Sequence, residues 1–225
     1  MAHRELKDQL YAQFARIGKA LASPQRLELL DLLAQGERPV EQLAQEAALS
    51  FANASQHLQV LRQARLVETR KVGLYVYYRL ADPAVFALWR ALRVVGERQY
   101  AEIDRLVQTY LHRPEHLEPI SSEELRARVA IGDVLVLDVR PEVEYRQGHI
   151  LGARSMPLDE LEARLAQLPH DREVVAYCRG PYCLFSHEAV QLLAQHGFRA
   201  RRLEDGFPEW YDAKLPVALG AGAPQ

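Results

Sequence analysis

The residues that most directly suggest chemistry in this 225-residue chain are its two cysteines. Cys178 and Cys183 stand five positions apart in the segment AYCRGPYCLFS (176–186), and the sequence contains no other cysteine. Three kinds of chemistry use such a pair: a small disulfide, half of a metal site, or one reactive sulfur assisted by a second thiol. The rest of the sequence has to choose among them.

Composition weighs against two of these. The chain is 48% hydrophobic and 26% charged, as in soluble globular proteins. No apolar run approaches the roughly 20 residues that span a bilayer, and the charged N-terminus does not resemble a signal peptide. We therefore expect a cytoplasmic protein with no membrane partner. Structural disulfides are uncommon in the cytoplasm, and two cysteines do not make a four-thiolate zinc site, so a reactive sulfur is favoured.

The setting of Cys178 supports a reactive thiol. It ends the apolar run EVVAYC, and the helical pattern LFSHEAVQLL follows shortly. A loop between a strand and a helix N-terminus directs backbone N–H groups inward, which lowers the pKa of a thiol held there. We predict that Cys178 is a reactive thiol and that its loop holds an anion on the sulfur: a thiosulfate sulfone, a persulfide, or the phosphoryl group of a cysteine phosphatase. The phosphatase is disfavoured, because Leu184 stands where its arginine would be. Cys183 is either a second thiol that assists Cys178 or a small packing residue. Backbone N–H groups of residues 179–184 are expected to stabilise the sulfur anion. The residues expected to surround the sulfur are Arg179, Gly180, Pro181, Tyr182 and Leu184.

The sequence divides into two regions with different residue patterns, and the two cysteines lie in the second. Apolar runs alternate with helical patterns after about residue 118, which predicts a small α/β domain at 119–217 with a mostly parallel sheet. Residues 1–111 are nearly all helical in pattern, with a hairpin centred on Val72-Gly73 and a long amphipathic helix at about 83–111. Proline and histidine mark a linker at 112–118, and 218–225 is predicted to be a flexible tail.

The first region has the pattern of a winged helix-turn-helix that reads DNA. In its third helix Ala54, Leu58 and Leu61 share one face at helical spacing and are predicted to pack inward. The opposite face is short, polar and rich in amides, as suits base edges in a major groove. Its predicted DNA contacts are Asn53, Ser55, Gln56, His57, Gln59 and Arg62. Arg70 and Lys71 in the hairpin are predicted to contact phosphates. For any single residue of this set, the alternative is an ordinary solvated position.

The run RLELLDLLAQGERPVEQLAQEAALSFANASQHLQVLRQARLVETRKVGLYVYYRL resembles the ArsR family of bacterial repressors, over roughly residues 8–100. The resemblance implies a homodimer built from the first and last helices, bound to double-stranded operator DNA with an inverted repeat. Metal-sensing members of the family carry a cysteine pair where this chain has ERPVEQL. We therefore predict no metal site, and take His112 and His116 as surface residues of the linker.

The second region resembles a single rhodanese domain, over roughly 117–217. The resemblance rests on VLDVRPEVEYRQGHILGA, which contains Asp138, Arg140, Glu144, Gly148 and His149, and on the closing motif EDGFPEW, in which Asp205 replaces a glycine. It implies that Cys178 carries the sulfur. Many rhodaneses have an arginine or a similar residue where Cys183 stands. This departure argues against an ordinary preference for thiosulfate and in favour of persulfide or polysulfide substrates. Within this motif Asp138 and Arg140 are expected to form a structural ion pair, Glu144 and His149 to support the turn, and Trp210 to lie in the core.

The resulting hypothesis is a DNA-binding repressor controlled by sulfane sulfur on Cys178, with sulfurtransferase activity and no metal or organic cofactor. The expected partners are operator DNA, a second copy of the chain, and a donor such as thiosulfate or a persulfide. Two alternatives stay open. The protein is a sulfurtransferase whose helical half only dimerises it, or a repressor whose rhodanese domain is a vestigial scaffold.

Overall fold

The computed structural model describes residues 2–110 and 118–220, apart from the side chains of Ala2 and Tyr110. The chain forms two compact units that divide between Val95 and Gly96. Most of the predicted linker (112–118) and the end of the predicted tail (221–225) lie outside the described residues, as do His112 and His116. Ala218, predicted to begin the tail, instead pairs with His149 in a short antiparallel ladder, so that the fold of the second unit extends beyond residue 217.

The first unit is a helical domain with one small sheet. Its helices are α1 (Ala2–Leu21), α2 (Pro24–Ala34), α3 (Val40–Glu46), α4 (Phe51–Gln63) and the greater part of α5 (Pro83–Gln99). Its strands are β1 (Arg38–Pro39), β2 (Val67–Val72) and β3 (Tyr75–Leu80). They pair antiparallel in the order β1-β3-β2. This is the predicted winged helix.

The wing is a tight hairpin because of its glycine. Val72 pairs with Tyr75, so that Gly73 and Leu74 alone form the turn. Gly73 has φ of +60°, a left-handed conformation that costs glycine little. The hairpin predicted around Val72-Gly73 is confirmed.

Helix α4 faces the core as its spacing predicted. Ala54, Leu58 and Leu61 are all fully buried. They pack with Leu29 of α2 and Leu43 of α3 in the core of the first unit. The helix starts at an N-cap, Ser50, whose hydroxyl accepts a hydrogen bond from Asn53 N at 3.2 Å.

The prediction of one long helix at about 83–111 is wrong, because the helix is interrupted at Tyr100. Helix α5 ends at Gln99, and α6 (Ala101–Tyr110) begins after the break. A Cβ atom at Gly96 would lie 3.3 Å from Ile103 Cδ1, so the Ile103 side chain packs over the glycine. In a continuous helix these two residues would stand two turns apart, and the contact therefore requires the chain to bend between them.

The second unit is the predicted α/β domain. Its main strands are β4 (Val134–Asp138), β6 (Arg154–Ser155), β7 (Glu173–Tyr177) and β8 (Ala200–Arg202). They form a parallel sheet in the order β6-β4-β7-β8, while β5 (His149–Ile150) and β9 (Val217–Ala218) pair separately. The helices are α7 (Ser122–Ile131), α8 (Glu142–Gln147), α9 (Leu158–Arg164), α10 (Leu184–Gln195) and α11 (Phe207–Asp212), with a short 3-10 helix at Leu165–Gln167.

The parallel sheet separates two cores. Successive side chains of a strand point to opposite faces. Val174, Ala176 and Cys178 accordingly lie in one core, whereas Val175 and Tyr177 lie in the other. This alternation puts Cys178 on the face that α10 covers.

Among the helices that the structure describes, none combines the length and the apolar character needed to cross a membrane.

Candidate functional site

Cys178 and Cys183 are brought together by a β-turn. Gly180 O accepts a hydrogen bond from Cys183 N at 3.1 Å, which places Pro181 and Tyr182 at the two central positions. Proline is favoured at the first central position because its fixed φ suits the turn. The Cα atoms of Cys178 and Cys183 are 6.4 Å apart, and the structure joins their sulfurs as a disulfide. The composition of the chain had disfavoured a disulfide. The β-turn nevertheless brings Cys183 close to Cys178, and this proximity does not depend on the cellular compartment.

The two sulfurs differ in exposure and in neighbours. Cys178 is 1% exposed, whereas Cys183 is half-buried at the N-cap of α10. Ser186 Oγ lies 3.5 Å from Cys178 Sγ, and the carbonyl oxygens of Cys183 and Gly180 lie at 3.7 and 3.9 Å. Sequence analysis missed Ser186. A hydroxyl in the first turn of the helix after a reactive loop is the pattern that would have identified it, since that hydroxyl can donate to a thiolate.

The predicted cradle of N–H groups from residues 179–184 is too broad. Pro181 has no N–H group, and the N–H of Cys183 is bonded to Gly180 O within the turn. Neither residue donates to a sulfur anion, because the turn that brings the cysteines together uses both positions.

Arg179 was predicted to lie in the loop around the sulfur, and its side chain instead contacts Glu144 and Phe185. Its guanidinium donates to the Glu144 carboxylate, with Nε to Oε1 at 3.0 Å, and lies over the Phe185 ring. The Glu144 side chain is almost fully buried. Glu144 therefore positions the loop, in line with the supporting role expected for it.

Gly206 of the closing motif is the surface against which the loop rests. A Cβ atom there would lie 2.3 Å from Gly180 N and 2.5 Å from the carbonyl carbon of Arg179. The next residue, Phe207, donates its backbone N–H to Cys178 O at 3.0 Å. No other amino acid fits at 206 without displacing the loop that carries Cys178.

We expect Gly206→Ala to lower the free energy of unfolding by about 1–3 kcal/mol, as overpacking does. It should also slow alkylation of Cys178 in the reduced protein, because the backbone at 179–180 must move. Denaturant titration and timed iodoacetamide labelling measure the two effects. Gly180→Ala is the matched control, since the nearest atoms to its Cβ, the Glu209 carboxylate oxygens, are 4.0 Å away. Equal effects in the two variants would contradict the assignment.

Asp138 and Arg140 form the expected ion pair, and it is completely buried. Asp138 Oδ2 lies 2.6 Å from Arg140 Nη2 and accepts from Tyr177 OH at 2.5 Å. Burial alone lowers the pKa of Arg140, but the Asp138 carboxylate outweighs it and the pKa is raised. Burial raises the pKa of Tyr177 well above its ordinary value, and Asp138 adds to the effect. Arg140 also donates to Gly148 O at 2.7 Å, so the pair fastens the turn before β5.

His149 and Trp210 are packed residues. The His149 ring stacks on Tyr145, with ring centroids 3.7 Å apart, and its Nδ1 lies 2.9 Å from Tyr145 O. Trp210 is buried and donates its indole N–H to Pro216 O at 2.9 Å. Both side chains are buried, and Trp210 lies in the core as expected.

On α4 the predicted DNA contacts differ in exposure. Asn53, Gln56, Gln59 and Arg62 are exposed, whereas Ser55 and His57 are half-buried. The Gln59 amide donates to Tyr78 OH at 3.4 Å. The exposed members form one polar face opposite the buried face, as a recognition helix requires.

The two basic residues of the wing are not equivalent. Arg70 donates twice to the Glu37 carboxylate, at 3.1 and 2.7 Å, and its guanidinium lies over the Tyr77 ring. Lys71 is exposed. Sequence analysis missed Glu37, because a partner 33 positions away leaves no local pattern.

Within residues 2–110 and 118–220, no three or more His, Cys, Asp or Glu side chains gather in a group that would hold a metal ion.

Comparison with known proteins matches both units. Residues 23–69 match the arsR family of bacterial regulatory proteins, and residues 121–213 match the rhodanese-like domain. An HTH-type transcriptional regulator of Mycobacterium tuberculosis is 44% identical over 215 residues, which cover 96% of this chain and 94% of the relative. A sulfurtransferase of Allochromatium vinosum is 36% identical over 105 residues, which cover 46% of this chain and 96% of that protein.

Among solved structures, the homodimeric winged helix-turn-helix DNA-binding domain of a possible ArsR-family regulator from Mycobacterium bovis is 45% identical. It covers 42% of this chain and 87% of its own, with a TM-score of 0.40.

The fold and the site thus define a winged-helix protein that carries a rhodanese-like domain on the same chain. The chain belongs to the ArsR family of HTH-type transcriptional regulators, in a form with a C-terminal rhodanese-like domain.

Proposed function

We propose that this regulator is a cytoplasmic repressor whose affinity for operator DNA is set by sulfane sulfur on Cys178. The observation that carries the proposal is the position of Cys178. It lies at the carboxyl end of β7, in a loop that leads into the N-terminus of α10, where a thiolate is stabilised.

The DNA half of the proposal rests on the polar face of α4. Asn53, Gln56 and Arg62 are exposed on a helix whose other face is anchored in the core. Amide and guanidinium groups on such a face hydrogen-bond base edges and phosphates. Lys71 extends the positive surface at the wing.

We propose a second copy of the chain as a partner. Helix α1 exposes Leu6, Leu10, Tyr11 and Phe14, and α5 exposes Leu88, Leu92 and Val95. Exposed apolar side chains in this number indicate an interface, and the solved relative from Mycobacterium bovis is described as homodimeric. A dimer binds two half-sites, which predicts an inverted-repeat operator.

The proposed sulfur step is nucleophilic. The Cys178 thiolate attacks the outer sulfur of a persulfide, forms a sulfur–sulfur bond, and releases the donor's inner sulfur as a thiolate. The product is a persulfide on Cys178. Thiosulfate would give the same product with sulfite as the leaving group. The loop between β7 and α10 would accommodate the negative charge of the persulfide on Cys178.

The test is fluorescence-anisotropy binding of the full chain to a selected inverted-repeat DNA, before and after glutathione persulfide. We expect the wild type to change its affinity at least tenfold, and Cys178→Ser to bind untreated DNA like the wild type without responding. An alcohol carries no sulfane sulfur and stays protonated near neutral pH. If the untreated wild type selected no DNA sequence, the proposal that the protein is an operator-binding repressor would be contradicted. If Cys178 took up sulfur and the affinity for DNA did not change, the proposal that sulfane sulfur sets this affinity would be contradicted.

A second candidate function is a sulfurtransferase enzyme whose helical half only dimerises it. It is favoured by the likeness of the C-terminal half to the sulfurtransferase of Allochromatium vinosum. Steady-state transfer to a thiol acceptor, without any DNA selectivity, would favour this alternative. A DNA response that survives Cys178→Ser would instead favour a vestigial rhodanese domain.

A further inference from the structure

We propose that the turn carrying Cys178 and Cys183 is a sulfane-sulfur reductase: it takes sulfur from a persulfide and releases it as hydrogen sulfide. The product state of the protein is the Cys178–Cys183 disulfide. This inference rests on the proposed persulfide at Cys178, and it adds a redox activity to that site.

The fold builds the product state directly. The Cys183–Gly180 hydrogen bond and Pro181 fix the turn, and they set the Cα atoms 6.4 Å apart. Direct disulfides need a Cα separation of about 4.4–6.8 Å. The Cα separation of the two cysteines therefore lies within the range that a disulfide spans.

Cys183 is placed to attack Cys178 Sγ when Cys178 carries the outer sulfur. It is the N-cap of α10, a helix of 12 residues, whose N-terminus favours the thiolate. The side chain packs beside Cys178 at the edge of the same core. A thiol held this close acts at an effective concentration that a free acceptor does not reach.

The reaction balances in two steps. Cys178 first accepts the outer sulfur of the donor persulfide and releases the donor thiol. The Cys183 thiolate then attacks Cys178 Sγ, the Sγ–Sγ bond forms, and the bond to the outer sulfur breaks, so that HS⁻ leaves. Two electrons pass from the two thiols to the sulfane sulfur, and HS⁻ takes up a proton from water.

The difference in exposure decides how the site is reset. Cys178 is buried beneath the loop, whereas Cys183 is half-buried. A protein dithiol of the thioredoxin class is far larger than a low-molecular-weight persulfide donor, and it would therefore attack the Cys183 sulfur, with Cys178 as the leaving thiolate. The reset restores the nucleophile.

The experiment is a single turnover of the reduced full-length protein with glutathione persulfide and no added dithiol. Hydrogen sulfide is measured with an electrode, and the 176–186 segment by mass spectrometry. We expect the wild type to release one hydrogen sulfide per chain and to lose two hydrogens from this segment. Cys183→Ser and Cys183→Ala should keep one added sulfur on Cys178 and release at least tenfold less sulfide.

The outcomes separate the two proposals. Equal sulfide release from wild type and both Cys183 variants would overturn the reductase, as would a wild type that keeps the persulfide with Cys183 free. No sulfur transfer to Cys178 in any variant would overturn the persulfide step itself. Sulfide release with the disulfide, but with DNA affinity unchanged, would support the reductase and overturn only the control of DNA binding.

Discussion

Asp138→Ala is expected to lower the free energy of unfolding of the rhodanese-like unit by about 3–5 kcal/mol, because it leaves a guanidinium buried without its counter-charge. Arg140 and Asp138 have no exposed side-chain surface. Tyr177 loses the acceptor of its hydroxyl in the same variant, which adds to the cost. Urea titration of the full chain, followed by circular dichroism, measures the loss.

Glu160→Ala is the matched control for this prediction. Glu160 pairs with Arg164 at 2.8 Å on the surface of α9, where both side chains are partly in water. Exposed pairs of this helical spacing contribute roughly 0.3–0.5 kcal/mol. If Asp138→Ala cost no more than Glu160→Ala, the buried pair would not stabilise the unit as we describe.

The second large effect concerns DNA. We expect Arg62→Ala combined with Lys71→Ala to weaken binding to all sequences. The slope of log affinity against log salt should fall by about one unit for each phosphate contact removed. A dimer would lose two contacts for each substituted residue. Arg70→Ala should have a smaller effect, because the Glu37 carboxylate already pairs with that guanidinium. Anisotropy titrations over a range of salt concentrations give the slopes.

Two controls sharpen this test. Glu37→Gln removes the charge that holds Arg70, and we expect it to raise both the affinity and the salt slope. Arg164→Ala removes one positive charge from the other unit and should leave the slope unchanged. An unaltered slope in the double variant would show that these residues do not face the phosphates. Gln56→Ala should relax base preference with little effect on the slope.

Sequence periodicity predicted the elements that are long or continuously apolar. The strands β4 and β7 and the inward face of α4 are of this kind, and the resemblance to two families identified their architecture. Shorter strands such as β5 and β9 are two residues long, too few for any period to show. The bend at Tyr100 was also hidden, because it depends on a contact between Gly96 and Ile103 across it.

The site was predictable where one residue type dictates the chemistry. Cys178 and Cys183 stood out because thiols are rare in this chain. Ser186 and Glu37 were missed because serine and glutamate are common, and only three-dimensional proximity distinguishes them. The N–H cradle was overestimated for the opposite reason, since a loop sequence does not show which N–H groups the turn itself uses.

The alternation along β7 has a consequence for how this family can change over evolutionary time. Tyr177 and Cys178 are adjacent in the chain, yet Tyr177 hydrogen-bonds Asp138 on one face of the sheet and Cys178 lies in the core on the other face. Selection can therefore act on the two faces as nearly separate traits. If the sulfur chemistry proposed above were abandoned in a lineage, we would expect Cys178 and Cys183 to be lost first and Asp138, Arg140 and Tyr177 to be kept. Among descendants of such a protein, an inactive rhodanese fold with a complete buried ion pair is the expected remnant.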